Sequence, residues 1–308
     1  MGTRERRELA RATADDFGGA LSRERLRRIG VDNRMVRREE AAQRWRVHGR
    51  QTIAMHTGEL GARADRWRAI WEVGAGIAAL DGVTALTEAG MTGFTEHATH
   101  VSVLHRHDIE DVPGVRIHKL IRRPEADLLT NGIPRVRPAV AAIHGAHWAV
   151  SDRQAALILC MPVQQRLVTG QQLLAARKTV RGRTRRRFIE LVIRDIALGA
   201  QSLGELDFAE GCRMRGLPEP ERQVVRRGVG NKVYLDARWP NGLVVEIDGS
   251  GHHQGLSVAN DNLRANAVTL TDDTVLRIDL VGWRLFREEF LDQVCAGYWI
   301  CQHRFGSR

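Results

Sequence analysis

Three carboxylates and two histidines crowd one short stretch, residues 232–253: Asp236, Glu246, Asp248, His252 and His253. The acids sit in two apolar-alternating runs, Lys232-Val233-Tyr234-Leu235-Asp236-Ala237-Arg238-Trp239 and Leu243-Val244-Val245-Glu246-Ile247-Asp248, on either side of Pro240-Asn241-Gly242. Asn-Gly between such runs is a strong hairpin signal. A loop of two or three residues sets Asp236 opposite Glu246 or one residue off. Facing residues of an antiparallel pair have Cβ atoms roughly 4.5–5.5 Å apart, and like charges that close call for a counter-ion. A hard divalent cation held by carboxylates and a backbone carbonyl meets the need. Strand alternation then places Val244, Glu246 and Asp248 on one face and Val245 and Ile247 on the other. Gly249-Ser250-Gly251 allows close ligand approach, and the histidines follow at once. These residue types in this order point to metal-assisted hydrolysis; the competing possibility is a structural hairpin whose acids face water.

The elements that must position this cluster are legible on both sides of it. Gln223 to Arg227 has the pattern of a first strand, after a turn at Gly216-Leu217-Pro218-Glu219-Pro220. Residues 259–268 are expected to be helical, Thr274 to Leu280 a buried strand, and Phe290 to Ile300 a terminal helix. Upstream, Ser202 and Glu205 form a capping-box pattern. Glu205 therefore either caps its own helix or, because Phe208 and Cys212 share its face and turn inward, supplies a further carboxylate to the site.

The N-terminal part has a different texture. Ser22 to Gly30 has an N-cap, an apolar stripe at Leu26 and Ile29, and a C-cap glycine. A second helix after Val31-Asp32-Asn33 carries Met35, Val36, Arg37 and Arg38. Trp45 to Ala54 is expected to be a β-hairpin wing, completing the layout of a small DNA-binding module, or else of a helical interaction domain with a solvated arginine face. In the middle, Trp67 to Trp71 and Ala75 to Leu80 are expected to be helical. Val101 to Leu104 and Val115 to Leu120 alternate as strands, and 138–147 and 154–159 are again helical. The histidines here lack ligand spacing, although His144 and His147 stand three apart. Arg177-Lys178-Thr179-Val180-Arg181-Gly182-Arg183-Thr184-Arg185-Arg186-Arg187 precedes an apolar helix; such a run is either a solvated linker or a segment that rides on phosphates.

Composition bounds the partners. The 308 residues carry a formal net charge of +10, and 43% are hydrophobic, enough for two or three domains with real cores. Nearly all the cations are arginines; the lysines are Lys119, Lys178 and Lys232. A basic balance favours an anionic partner, most simply DNA. No apolar run approaches a membrane span and the N-terminus lacks a signal-peptide stretch, so the expected compartment is the cytoplasm. Cys160, Cys212, Cys295 and Cys301 have no metal-finger spacing and are expected to be buried thiols.

Residues 14–56 resemble the winged-helix domain of abortive-infection type IV antitoxins, and the middle region resembles the segment that follows it in that family. Residues 184–303, through Ser202, Glu205, Phe208, Gly216-Leu217-Pro218, Pro220, Gln223, Tyr234-Leu235-Asp236, Trp239-Pro240, Val244 to Gly249, His252-His253, Asp261, Arg264 and Leu276-Arg277, resemble a domain-of-unknown-function family akin to very-short-patch-repair endonucleases. That family belongs to the wider PD-(D/E)XK nuclease fold. The resemblance implies an α/β (α+β) chain with three parts: a winged helix over 1–58, a mixed α/β domain over 59–178, and a restriction-endonuclease-like mixed sheet flanked by helices over 179–308. It implies a metal-dependent DNA endonuclease using Mg2+ or Mn2+. Asp236 and Glu246 would be the metal carboxylates, with the Ile247 carbonyl beside them and Glu205 as the helix acid. His253 would move protons and Arg264 would steady the scissile phosphate or hold a carboxylate. Asp248 departs from the pattern: it stands where the fold usually has a lysine and the repair enzyme a histidine. The alternative is a non-catalytic, DNA-binding, antitoxin-like regulator built on a degenerate nuclease fold.

Overall fold

The computed structural model describes residues 2–198, 208–220, 222–227, 233–248, 262–263, 266 and 275–305, with backbone alone at 222–227, 233–236, 248 and 280. The chain divides into two compact units, 1–137 and 138–308. Each combines helices with a sheet, so the chain is mixed α and β, as expected.

Unit 1 begins with α1 (Thr3–Asp15), β1 (Ala20–Ser22), α2 (Arg23–Arg28), α3 (Asn33–Ala41), β2 (Arg46–Val47) and β3 (Thr52–Ala54). Local chemistry sets the helix ends. The Ser22 hydroxyl accepts from the Arg25 amide at the start of α2, and Gly30 takes a left-handed φ of 79° after its end. The Asp32 carboxylate accepts from the Met35 amide to start α3. β2 and β3 pair antiparallel as the expected wing. Leu26, Val31, Met35, Val36, Trp45 and Ile53 are buried in one cluster, which locks the two helices and the wing together. β1 is an addition: it pairs Ala20 with Ala54 and Ser22 with Thr52. A three-residue strand whose partner lies thirty positions away leaves no periodic trace.

Glu39 of α3 is fully buried between two arginines, Arg7 at 2.9 Å and Arg44 at 2.6 Å. Burial alone would raise its pKa, but hydrogen bonds from Arg44 and Arg7 outweigh it, and the carboxyl is held below its ordinary value. A depressed folded pKa means that the unfolded chain binds the proton more readily. The stabilisation is therefore complete above the unfolded value near 4.3 and disappears as pH falls through the folded one. Thermal midpoints between pH 7 and pH 3 are expected to fall more steeply for the wild type than for Glu39→Gln, which cannot titrate at this position.

The rest of unit 1 comprises α4 (Ala62–Gly74), β4 (Ala79–Leu80), α5 (Gly82–Glu88), β5 (Thr99–Leu104), β6 (Val115–Leu120), β7 (Leu128–Leu129) and β8 (Arg135–Val136), with strand order β6-β5-β4-β8-β7. The helix expected over 75–80 does not form. Gly74 and Gly76 have φ of 138° and 89°, which ends α4. Ala79 and Leu80 instead form the central strand, with Leu80 fully buried between β5 and β8.

Unit 2 opens with α6 (Pro138–Trp148), α7 (Asp152–Gln164), α8 (Gly170–Thr179), α9 (Arg186–Leu198) and α10 (Phe208–Met214). The mixed sheet follows: β9 (Arg222–Arg227), β10 (Val233–Arg238), β11 (Val244–Asp248) and β12 (Val275–Asp279), closed by α11 (Leu280–Leu285) and α12 (Arg287–Phe305). The order is β12-β11-β10-β9; β9, β10 and β11 run antiparallel and β12 joins β11 in parallel. Val245, Ile247, Leu276 and Ile278 from the sheet pack with Phe208, Trp239, Trp283 and Phe290 in the core. Helices 138–179 thus cluster with this sheet, because the division falls at 137. Among the described residues no helix is long and apolar enough to cross a membrane. Cys160, Cys212 and Cys301 are buried; burial pushes the Cys160 and Cys212 thiols up to about 12, which makes both inert.

Candidate functional site

The hairpin at the centre of unit 2 turns as its sequence dictates. The Trp239 amide donates to the Leu243 carbonyl at 3.0 Å, leaving a three-residue loop of Pro240, Asn241 and Gly242, with Gly242 at a φ of 91°. Loops of this length commonly place a left-handed residue last, which glycine adopts without strain. Two side chains then fix the loop in the unit. The Trp239 indole donates to the Pro218 carbonyl at 2.8 Å, and the half of Asn241 that carries hydrogens donates to the Tyr298 carbonyl at 2.9 Å. Asn241 also accepts from the Leu243 amide.

That turn sets the register. Asp236 is the direct partner of Glu246 in the β10–β11 ladder, and Tyr234 the partner of Asp248. Positions directly paired across an antiparallel ladder share a face of the sheet, so positions 236 and 246 face the same side. Val245 and Ile247 are fully buried on the core side, while the Glu246 side chain remains 38% exposed on the other. Alternation along β11 is thus realised with the acid outward and the aliphatic residues inward. The side chains of Asp236 and Asp248 lie outside the described residues, as do Glu205, His252, His253, Asp261 and Arg264 altogether.

One participant carries part of the resemblance but is assigned no role by it. Arg277, on β12, is the parallel-ladder partner of Glu246, and its guanidinium lies 3.5 Å from the Glu246 carboxylate. Its signal in the sequence is a single cation inside the apolar run Val-Leu-Arg-Ile. Asn266 holds the backbone of Arg277 from both sides, donating to its carbonyl and accepting from its amide, each at 2.8 Å. Arg277 is 66% exposed and its contact with Glu246 is long. Such a pair contributes little, on the order of 0–1 kcal/mol, and leaves the carboxylate open to a stronger cation.

No protein-family model matches the chain, and no curated protein matches it either. The site therefore stands on its own geometry. Among the described residues no group of three His, Cys, Asp or Glu side chains is gathered for a metal ion. His144 and His147 do not form such a group: the His144 ring stacks on Trp148, and the buried His147 ring bonds to the Thr184 carbonyl. Among the described side chains, the donor on this face of β11 is the Glu246 carboxylate, while the Ile247 side chain is buried in the core. A carboxylate oxygen at a half-exposed edge is a donor of the kind a hard divalent ion such as Mg2+ or Mn2+ takes.

Proposed function

We propose that the chain is a metal-dependent DNA endonuclease of the PD-(D/E)XK type, similar to very-short-patch-repair enzymes, that acts in repair or defence. The observation that carries this reading is the pairing of Asp236 with Glu246 at the centre of a mixed sheet, with Glu246 facing solvent beside Arg277. In this reading Asp236 and Glu246 would hold the cation, with the Ile247 carbonyl beside them. A bound Mg2+ or Mn2+ supplies Lewis-acid polarisation of the scissile phosphate and a more acidic water. Arg277 pairs with Glu246 at 3.5 Å and would meet phosphate oxygens once a cation took the carboxylate. Glu205 adds a further carboxylate, His253 moves a proton near neutral pH, Arg264 steadies the phosphate, and Asp248 orients water by accepting a hydrogen bond.

The winged helix supports DNA as the substrate. α3 buries Met35, Val36 and Glu39 and exposes Arg34, Arg37 and Arg38 along one side. A cationic second helix of a helix-turn-helix is suited to a DNA groove and its flanking phosphates. A second reading, a DNA-binding regulator without catalysis, is favoured by Asp248, which cannot supply the positive charge the fold usually places there. Supercoiled plasmid separates the two. Nicking that appears with Mg2+ or Mn2+ and stops with a chelator is the expected result; protein that binds the plasmid yet leaves it intact with every divalent metal sustains the regulator instead.

A further inference from the structure

The basic run of unit 2 has an architecture that a solvated linker does not need. Its backbone is anchored at several points. The Thr184 carbonyl accepts a hydrogen bond at 2.6 Å from Nδ1 of His147, a residue of α6 that is only 7% exposed. A carbonyl can only accept, so Nδ1 carries the proton and the neutral ring leaves Nε2 as the bare nitrogen. Burial lowers the His147 pKa below the ordinary imidazole value. Gly182 lies against that ring so closely that a Cβ there would stand 2.5 Å from Nε2. Val180 is buried, and its carbonyl accepts from Arg177 at 2.9 Å. Arg185 adopts a left-handed φ of 54°, which costs energy for a residue with a side chain, and pairs with Asp152 at 2.8 Å.

The anchoring produces a cationic edge that is not neutralised by any described residue. Gly182 faces inward while Arg181 and Arg183 on either side are exposed. Arg187, in the first turn of α9, and Lys178, near the end of α8, are exposed as well. The nearby acids are already engaged: Glu190 by Arg177 and Arg186, and Asp152 by Arg185. Lys178, Arg181, Arg183 and Arg187 have no ion pair among the described residues. Holding like charges on a fixed backbone is unfavourable unless an anion arrives, and the anchors hold the segment ready for one.

We infer that residues 178–187 form a second DNA-contacting surface, independent of the winged helix, that binds the phosphate backbone without reading sequence and holds duplex beside the unit that contains Glu246. The inference rests on the nuclease reading for its choice of DNA. Contacts of this kind are seen in the salt dependence of binding, because each neutralised phosphate contributes about 0.9 to the slope of log affinity against log salt. The experiment is fluorescence anisotropy on a labelled random-sequence duplex of about 20 base pairs, in chelator so that nothing is cut, across a range of KCl. The full-length triple variant Arg181→Gln, Arg183→Gln, Arg187→Gln is compared with wild type and with Arg34→Gln, Arg37→Gln in α3. A slope reduced by about two to three units in the unit 2 variant, with affinity lost equally on unrelated sequences, is the expected result. A wild-type slope in that variant, with only the α3 variant altered, overturns the inference while the nuclease reading stands. Absence of DNA binding by the wild type at low salt overturns both.

Discussion

Replacing Glu246 by glutamine is expected to abolish metal-dependent nicking, lowering the rate by more than about a hundredfold while leaving DNA binding in chelator within about twofold. Loss of groups that only orient metal ligands typically costs 10–100-fold, and removal of a carboxylate that itself holds the ion costs at least that. The change is nearly isosteric and the side chain is 38% exposed, so the fold has little reason to respond. The neighbouring Arg277 gives an internal comparison. Arg277→Gln removes the cation that competes for Glu246, so Mn2+ binding followed by calorimetry is expected to tighten, whereas Glu246→Gln weakens it. Plasmid cleavage that persists undiminished in Glu246→Gln removes the carboxylate from the chemistry, and with it the proposal for this site.

Replacing Asp195 by alanine is expected to destabilise unit 2 by about 3–5 kcal/mol. Asp195 on α9 is 3% exposed and pairs with Arg284 on α11 at 3.0 Å, where the arginine is itself mostly covered. Breaking one side of such a pair leaves a charge without water or partner, which is the costly case. Asp195→Asn, which keeps hydrogen-bonding capacity, is expected to cost less. Replacing both partners with apolar residues of similar volume is expected to recover much of the loss. The measurement is the denaturation midpoint of the three variants. Equal midpoints for wild type and Asp195→Ala would show that Arg284 finds solvent or another acceptor when its partner is removed. The pair joins a helix of the basic run to the helix that follows β12, so its loss also loosens the frame around the sheet.

Part of the site could be read directly from the residues. Asn-Gly marked the turn and left Asp236 opposite Glu246 or one residue off; the three-residue loop then made the pairing direct. Each step involves neighbours in sequence, and strand alternation carries the same information at short range. The N-terminal helix ends were legible for a similar reason: Ser22, Gly30 and Asp32 act within a few residues of themselves. Arg277 was visible as an odd cation but had no assigned place, because its partnership with Glu246 depends on a parallel crossover between β11 and β12. Parallel strands are joined by long connections whose sequence does not announce which strand they return to.

What the sequence determined by itself, then, was local: the caps, the turn, the alternation of acid and aliphatic residues along β11, and the mixed α and β character of the chain. Tertiary structure alone decided that Ala79 and Leu80 form a strand, that helices 138–179 cluster with the acidic sheet, that His147 clasps the arginine run, and that Asp195 meets Arg284 from 89 positions away. The physical reason is the same in each case. Hydrogen bonds and charges between distant segments are worth making only once burial has removed water from both sides, and that condition is a property of the packed chain rather than of any stretch within it.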